Sequence, residues 1–364
     1  MSVLIKRIDS SSGGGSKGYP PGNINIIKKL GLNGSVSLRW SEPDDIVVGN
    51  RTLSTWSSTV IVRKEGSAPT SIKDGDIVLT NTERNKYKET DLVDSGLTNG
   101  KTYYYRFFTM NTDKVYNTDS SMIYDIKILQ PDSILKNNTW DQIAAVSEAG
   151  IASNYWNIGD EIDLTLSPEI LSGDFDETVT LQIWDFDHFD KSDGSGKAGI
   201  CFGMKNLMKG YQQMNSSGSN SGGWNNMPMR NTVMQNILKS IPSDLKNVIK
   251  EVNTYASQGD GNTSSGVGRL SKDKIFLPGF TELFGSFDWS TQSNAEKNQI
   301  RFPIFTDYDS RIKKLSNGYI DAQWWWTRSP YCNGGSDFCI VYSDGSYSGV
   351  NAVNSCGVCF CFNV

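Results

Sequence analysis

Histidine is nearly missing from this chain: His188 is the single copy in 364 residues. That excludes metal centres built on several imidazoles, and with them much hydrolytic and oxidative chemistry. Long apolar runs are missing too, since none approaches the roughly 18 residues that a membrane helix needs, so no membrane insertion is expected. There is no basic excess: 35 Lys and Arg against 40 Asp and Glu leave a net charge of −5, the wrong sign for a general nucleic-acid binder. The opening residues place Lys6 and Arg7 directly after Val3-Leu4-Ile5. They lack the apolar core of a secretory signal, so the expectation is a protein made in the cytoplasm that leaves, if it leaves, by another route.

What is present suffices for folded cores, with 37% hydrophobic and 11% aromatic residues in a length that holds about two or three domains. Of the six cysteines, five (Cys332, Cys339, Cys356, Cys359 and Cys361) crowd the final segment and Cys201 stands apart. The terminal spacing invites a thiolate metal site in which Cys332 and Cys339 would supply the second pair. Against it, Gly357–Val364 reads as one strand with Cys359, Cys361 and Asn363 on one face and Phe360, Phe362 and Val364 on the other. A bridge between Cys359 and Cys361 would lie at the outer limit of disulfide geometry. Free, buried thiols are therefore the expectation, with no metal and no cofactor.

Residues 1–22 join the strand-like Val3-Leu4-Ile5 to a Ser/Gly stretch and the Tyr19-Pro20-Pro21-Gly22 breaker. They are expected to be a flexible attachment segment, with Val3, Leu4 and Ile5 as the docking strand. From 23 to 129 apolar residues alternate with period two: Val36, Leu38 and Trp40 share one face, and Thr59–Arg63 and Asp76–Leu79 continue the pattern. Trp40 with Ser41-Glu42-Pro43, the Leu97-to-Tyr103 spacing, and Tyr104–Asn111 resemble a fibronectin type III module. The resemblance implies an all-β sandwich that acts as a spacer; the long Asp44–Trp56 connection departs from its pattern. Residues 130–138 read as a polar linker. Beyond them, 139–364 reads as an α+β domain. Thr139 caps a helix whose inner face carries Trp140, Ile143, Ala144 and Val146. Strands follow at Glu161–Leu166 and Thr178–Phe186. Two helices come next, one with Val233, Ile237, Leu238 and Ile241 on its stripe, the other capped by Ser243 and bearing Leu245, Val248, Ile249 and Val252.

The acidic set Asp185, Asp187, Asp190 and Asp193 around His188 suggests calcium or a glycosidase pair, but its spacing fits no EF-hand loop. A solvated turn with a structural histidine is the favoured reading. Cys201, in apolar Ile200-Cys201-Phe202, reads as buried rather than nucleophilic. Trp324-Trp325-Trp326 alternates across a strand, so at least one indole is expected in the core. The stretch Tyr331–Ser355 is rich in Tyr, Ser, Gly, Asn and Asp, the composition of adaptable binding loops. Pro330 is expected to end the tryptophan strand, and Ser343-Asp344-Gly345-Ser346 to turn a hairpin. Tyr331, Asn333, Asp337, Tyr342, Asp344, Tyr347 and Asn351 are the candidate ligand contacts. No catalytic residue is assigned.

The blocks Trp156–Asp160, His188 with Gly194–Ile200, Phe202–Leu207, Phe276-Leu277-Pro278 with Glu282–Gly285, Trp326–Pro330 and Gly357-Val358 together resemble a domain of unknown function. That domain is common in structural proteins of phages and prophages of Gram-positive hosts. The resemblance implies a C-type-lectin-like α+β fold akin to phage tropism determinants. Cys359 stands where that family's last strand carries arginine, which puts an internal ion pair there in doubt. The implied function is a non-enzymatic virion component assembled in the host cytoplasm and released by lysis. It would be a tail fibre or receptor-binding adhesin that is homo-oligomeric, bound to other virion proteins through its N-terminus and to a host-surface glycan or protein through its C-terminal domain. A capsid-attached head fibre or decoration protein is the alternative within that setting. A cell-wall glycan hydrolase or a thiolate metal protein are the alternatives outside it.

Overall fold

Alternating burial builds the first part of the chain. Val36, Leu38 and Trp40 are fully buried on one side of their strand while the intervening residues are half-exposed, the pattern of a sheet with one wet face. The computed structural model describes residues 18–167, 177–260, 268–286, 294–331 and 334–364. The chain divides into two compact units, Met1–Gln130 and Pro131–Val364.

In the first unit the strands are β1 (Asn25–Leu32), β2 (Ser35–Ser41), β3 (Ile46–Val48), β4 (Arg51–Ser54), β5 (Trp56–Glu65), β6 (Asp76–Asn81), β7 (Leu92–Ser95), β8 (Thr102–Asn111) and β9 (Ile123–Lys127). One sheet runs β1-β2-β7 and the other β6-β5-β8-β9, all antiparallel. They enclose Val36, Leu38, Trp40, Ile61, Tyr105 and Phe107. Trp40 stacks on Tyr87 at 4.7 Å and meets Phe107 edge-on at 5.3 Å. The amide of Thr98 donates to the Tyr103 hydroxyl at 3.2 Å, pinning the turn before β8. The connection after Asp44 is itself a hairpin, β3 against β4, which exposes Val47 and Val48.

In the second unit helix α1 (Trp140–Glu148) opens with a full capping box: the Gln142 amide donates to the Thr139 hydroxyl, and the Gln142 side chain reaches back to the Thr139 amide. Pro131–Asn138, expected as a linker, is knit into this unit. The Asn138 side chain accepts from the Asp132 amide and donates to the carbonyls of Asp132, Ile134 and Leu135. Strands β10 (Glu161–Thr165), β11 (Thr178–Phe186), β12 (Ile200–Met204) and β13 (Tyr211–Gln213) precede the short helices α2 (Gln235–Ser240) and α3 (Ser243–Val248). Residue 242 is the cap of α3, and Ser243 is its first helical residue. Val252, expected on that helix, instead opens β14 (Val252–Ser257), because Ile249 already leaves the helix in extended geometry. Then come β15 (Gly268–Asp273), β16 (Ile275–Phe276), α4 (Phe280–Phe284), β17 (Trp325–Pro330), β18 (Asp337–Val341), β19 (Tyr347–Asn351), β20 (Ser355–Gly357) and β21 (Cys361–Asn363).

Two five-stranded sheets, β10-β11-β12-β21-β16 and β13-β20-β17-β18-β19, carry this unit. The terminal segment differs from the single strand expected: Ser355–Gly357 belongs to one sheet and Cys361–Asn363 to the other. Val358, Cys359, Phe360, Cys361, Phe362 and Val364 are all fully buried. With protein on both sides there is no wet face for the cysteines to share, and the chain crosses between sheets at its most apolar point.

Candidate functional site

The tryptophan strand β17 is held by a buried ion pair. Arg328, wholly buried, donates to Glu282 through both terminal nitrogens, one at 2.7 Å, and to the Leu277 carbonyl at 3.0 Å. Glu282 also accepts from the Gly279 amide at 2.8 Å, so one carboxylate fixes both α4 and β17. Trp325 and Trp326 are both fully buried, one more than alternation requires, because this strand is covered on both faces. Trp324, just before the strand, is 46% exposed.

Four candidate residues of the C-terminal segment, Tyr331, Asp337, Tyr347 and Asn351, gather on one face of the hairpin, whereas Tyr342 faces the other way and Asp344 lies in the turn. The expected hairpin forms, with Tyr342 and Ser346 closing the turn at 2.8 Å. Its register pairs Asp337 with Asn351 and Val341 with Tyr347. These pairs share one face of the sheet, so Tyr342, next after Val341, turns to the other. Tyr347 meets Phe280 and Phe284 edge-on at 5.4 and 5.3 Å, and burial raises its hydroxyl pKa. The Tyr331 ring lies against Gly349. Asp344 accepts from the amide and hydroxyl of Ser346, which hold its carboxyl below the usual range. Asn351 accepts from the Val353 amide at 3.1 Å and Asp337 from the Ser336 hydroxyl at 2.7 Å. Asn333 lies outside the described residues, as do Val3, Leu4 and Ile5. Tyr342 stands against an exposed aromatic ring, Trp324, at 4.8 Å and 71°.

Around that pair the fold gathers residues that sequence reasoning missed. Strand β13 pairs Tyr211 with Gly357, and the Gly357 amide donates to the Trp324 carbonyl at 2.8 Å. Two strand spacings, about 10 Å, thus separate the backbones of Tyr211 and Trp324. Between them the Tyr211 hydroxyl donates to Gln323 Oε1 at 2.7 Å, and Gln323 Nε2 donates to the Asp321 carbonyl at 3.0 Å. Lys314 bridges to Ala322, and the loop so closed turns at Gly318, whose φ of +84° few other residues adopt. It raises Tyr319 and Ile320, 51% and 77% exposed, beside Tyr211. The result is a ledge of Tyr211, Tyr319, Trp324 and Tyr342 edged by the Gln323 side-chain amide and the Asp321 main-chain carbonyl. The one local signal for it was the tryptophan run.

The other candidates settle into structure. His188 Nδ1 lies 2.7 Å from Asp185, and the ring stacks on Phe302 at 4.2 Å with its side chain buried. Cys201, Cys339, Cys356, Cys359 and Cys361 are all buried. Burial pushes the Cys356 thiol up to about 12 and those of Cys201, Cys359 and Cys361 upward as well, away from the thiolate a metal needs. Cys332 lies outside the described residues. Beside Cys359 stands a different cation, Lys313, which donates to the carbonyls of Met204 and Lys205 at 2.6 and 2.9 Å and faces Trp184, Phe305 and Trp325. Among the described residues no three His, Cys, Asp or Glu side chains are placed to hold a metal ion. A separate cleft of about 670 Å³ opens beside β10, lined by Lys136, Trp140, Glu161, Asp163, Thr180 and Asp244 among others.

Comparison with known proteins gives residues 199–364 a family likeness and the chain a set of weak structural neighbours. Residues 199–364 match the family model described as a domain of unknown function, DUF6273. No curated protein matches the chain. Among solved structures, a human fourth fibronectin III domain is 14% identical, spanning 35% of this chain and 91% of that one at a TM-score of 0.23. A third fibronectin III domain, also human, is 15% identical over 35% of this chain and 96% of its own, at 0.21. The twitchin kinase region of C. elegans is 18% identical over 31% of this chain and 17% of its own, at 0.20.

Proposed function

We propose that the chain is a bacteriophage or prophage virion adhesin, in which the N-terminal segment attaches to the particle, the β-sandwich spaces, and the second unit, read as C-type-lectin-like, binds a host-surface glycan. The observation that carries the binding role is the ledge of Tyr211, Tyr319, Trp324 and Tyr342. The exposed rings of Tyr211, Tyr319 and Trp324, with half-buried Tyr342 beside Trp324, present the apolar face that a sugar ring stacks against, and the Tyr211 hydroxyl oxygen, oriented by its bond to Gln323, is an acceptor for a sugar hydroxyl. Rings on strands about 10 Å apart favour an oligosaccharide over a single sugar. Tyr347, half-buried against Phe280 and Phe284, and the turn-bound Asp344 and Asn351 shape the support. On this reading the chain is a binding protein and carries out no catalysis.

The test is binding of the full chain to isolated Gram-positive cell walls. Trp324→Ala and Tyr211→Ala should each weaken it by about 5- to 30-fold, the scale of an interface anchor, whereas Tyr347→Phe should leave it unchanged. If both alanine variants stay folded and bind as the parent does, the ledge is not the site.

A further inference from the structure

Strand β10 ends its sheet: β11 pairs with one edge, and among the described residues no strand takes the other. An unpaired edge is a template for another strand. This one adjoins the 670 Å³ cleft, in the size range of ligand sites. The cleft lining is acidic, with Glu161, Asp163 and Asp244 against Lys136. Lys205 and Gln182 engage Glu161, and the Thr180 hydroxyl engages Asp163. Ile162 and Trp140 add an apolar floor.

That charge decides what the edge accepts. Two copies of β10 laid edge to edge would bring Glu161 and Asp163 against their own counterparts, which like-charge repulsion opposes. A strand that joins apolar residues to basic ones suits both the floor and the rim. The chain carries a sequence of that kind outside the described residues: Val3-Leu4-Ile5-Lys6-Arg7, followed by a Ser/Gly stretch to Gly18. A Ser/Gly-rich sequence of roughly ten residues, if it behaves as a flexible linker, would have an r.m.s. reach of about 17 Å, enough to cross between neighbouring molecules.

We propose that residues 3–7 of one copy add a strand to β10 of a second copy, linking molecules of this chain into an oligomer. This rests on the reading that the N-terminal segment docks on a neighbour, and it names that neighbour. Main-chain hydrogen bonds to the β10 edge would give affinity, while Lys6 and Arg7 beside Asp163 and Asp244 would give selectivity.

The experiment compares the full chain, a chain lacking residues 2–9, and Asp163→Lys in the full chain, by light scattering across concentration. A synthetic peptide of residues 2–9 is then titrated against the truncated chain and against the truncated chain carrying Asp163→Lys. Expected are oligomers for the full chain, monomers for the other two, and peptide binding that falls at least 10-fold with Asp163→Lys and weakens with salt. A truncated chain as large as the full one, or peptide binding indifferent to Asp163→Lys, overturns the proposal. A monomeric full chain overturns the second-copy assignment. Incorporation into virions separates the two readings. If deletion of residues 2–9 abolishes it while the peptide does not bind the truncated chain, the neighbour is another protein and the attachment reading stands. If deletion leaves incorporation intact, the attachment reading falls.

Discussion

The two units differ in where their tightest ion pairs lie. In the first, ion pairs such as Lys28–Asp91, Arg39–Asp91 and Arg63–Asp94 lie on the sheet faces with side chains 12–36% exposed. In the second, Arg328–Glu282 is 0% and 2% exposed, and Lys313 and Glu296 are buried nearby in the fold. A sandwich whose strands alternate in and out needs no ionic post, since apolar faces alone set its register. The second unit holds many short strands and short helices joined by long connections, whose backbone groups need side-chain partners once buried. Arg328, Glu282 and Lys313 supply them.

The sharpest way to break this comparison is to remove one buried partner. Arg328→Met strands Glu282 without its cation and should cost about 3–5 kcal/mol, seen in denaturant unfolding of the full chain as an early transition of the second unit while the first is unchanged. Arg328→Met with Glu282→Leu should recover part of the loss. A single change worth under about 1 kcal/mol would put this pair on a par with the surface ones.

The same contrast explains what the sequence disclosed. Val36, Leu38 and Trp40 show their common face by spacing alone, and Thr139 shows a helix start. The Ser343–Ser346 turn was visible for the same reason, since turn chemistry is local. The ledge was not visible: Tyr211 and Gln323 lie 112 residues apart and meet only because β13, β20 and β17 are neighbours. The two-faced split of the Tyr331–Ser355 set was hidden because composition carries no register. The double burial of Trp325 and Trp326, and the break between Gly357 and Cys361, depend on which segments cover a strand, and no local pattern reports that.

A second test uses pH. In the second unit burial raises the carboxyls of Glu177 and Glu296, outweighing the Ser316 hydroxyl at the former and Ser329, Ser257 and Arg328 at the latter. A raised folded-state pKa gives stability that is present below the unfolded value, near 4.5, and is lost as pH rises through the folded one. In the first unit Asp91 is net lowered: desolvation opposes the shift, and Lys28 and Arg39 overcome it. Hydrogen bonds from Asn23 and Ser121 lower Asp119. Their stability is present above about 3.8 and is lost as pH falls through the lowered values. Melting followed from pH 8 to pH 5 should therefore raise the second unit's transition and leave the first's in place. Acidification below pH 4 should then lower the first. Glu296→Gln should flatten the rise; a second unit whose transition falls steadily from pH 8 to pH 5 would remove the contrast.

The smallest effect belongs to the surface of the sandwich. Asp91 on the short connection before β7 meets Lys28 of β1, at 2.9 Å, and Arg39 of β2, so one carboxylate ties three neighbouring segments of one sheet. Arg39 is 36% exposed and Asp91 22%, so water and salt compete for both. Arg39→Met leaves Lys28 in place, keeps the aliphatic stem over the sheet, and strands no buried charge. The expected cost is about 0–1 kcal/mol, shrinking further between 0.05 and 0.5 M salt, roughly the range over which the screening length contracts to a single contact. The same salt series on Arg328→Met should change its cost little, because Glu282 is shielded from ions as it is from water. Equal salt sensitivity in the two variants would mean that the buried pair is reached by solvent, and the distinction between the units would then rest on packing alone.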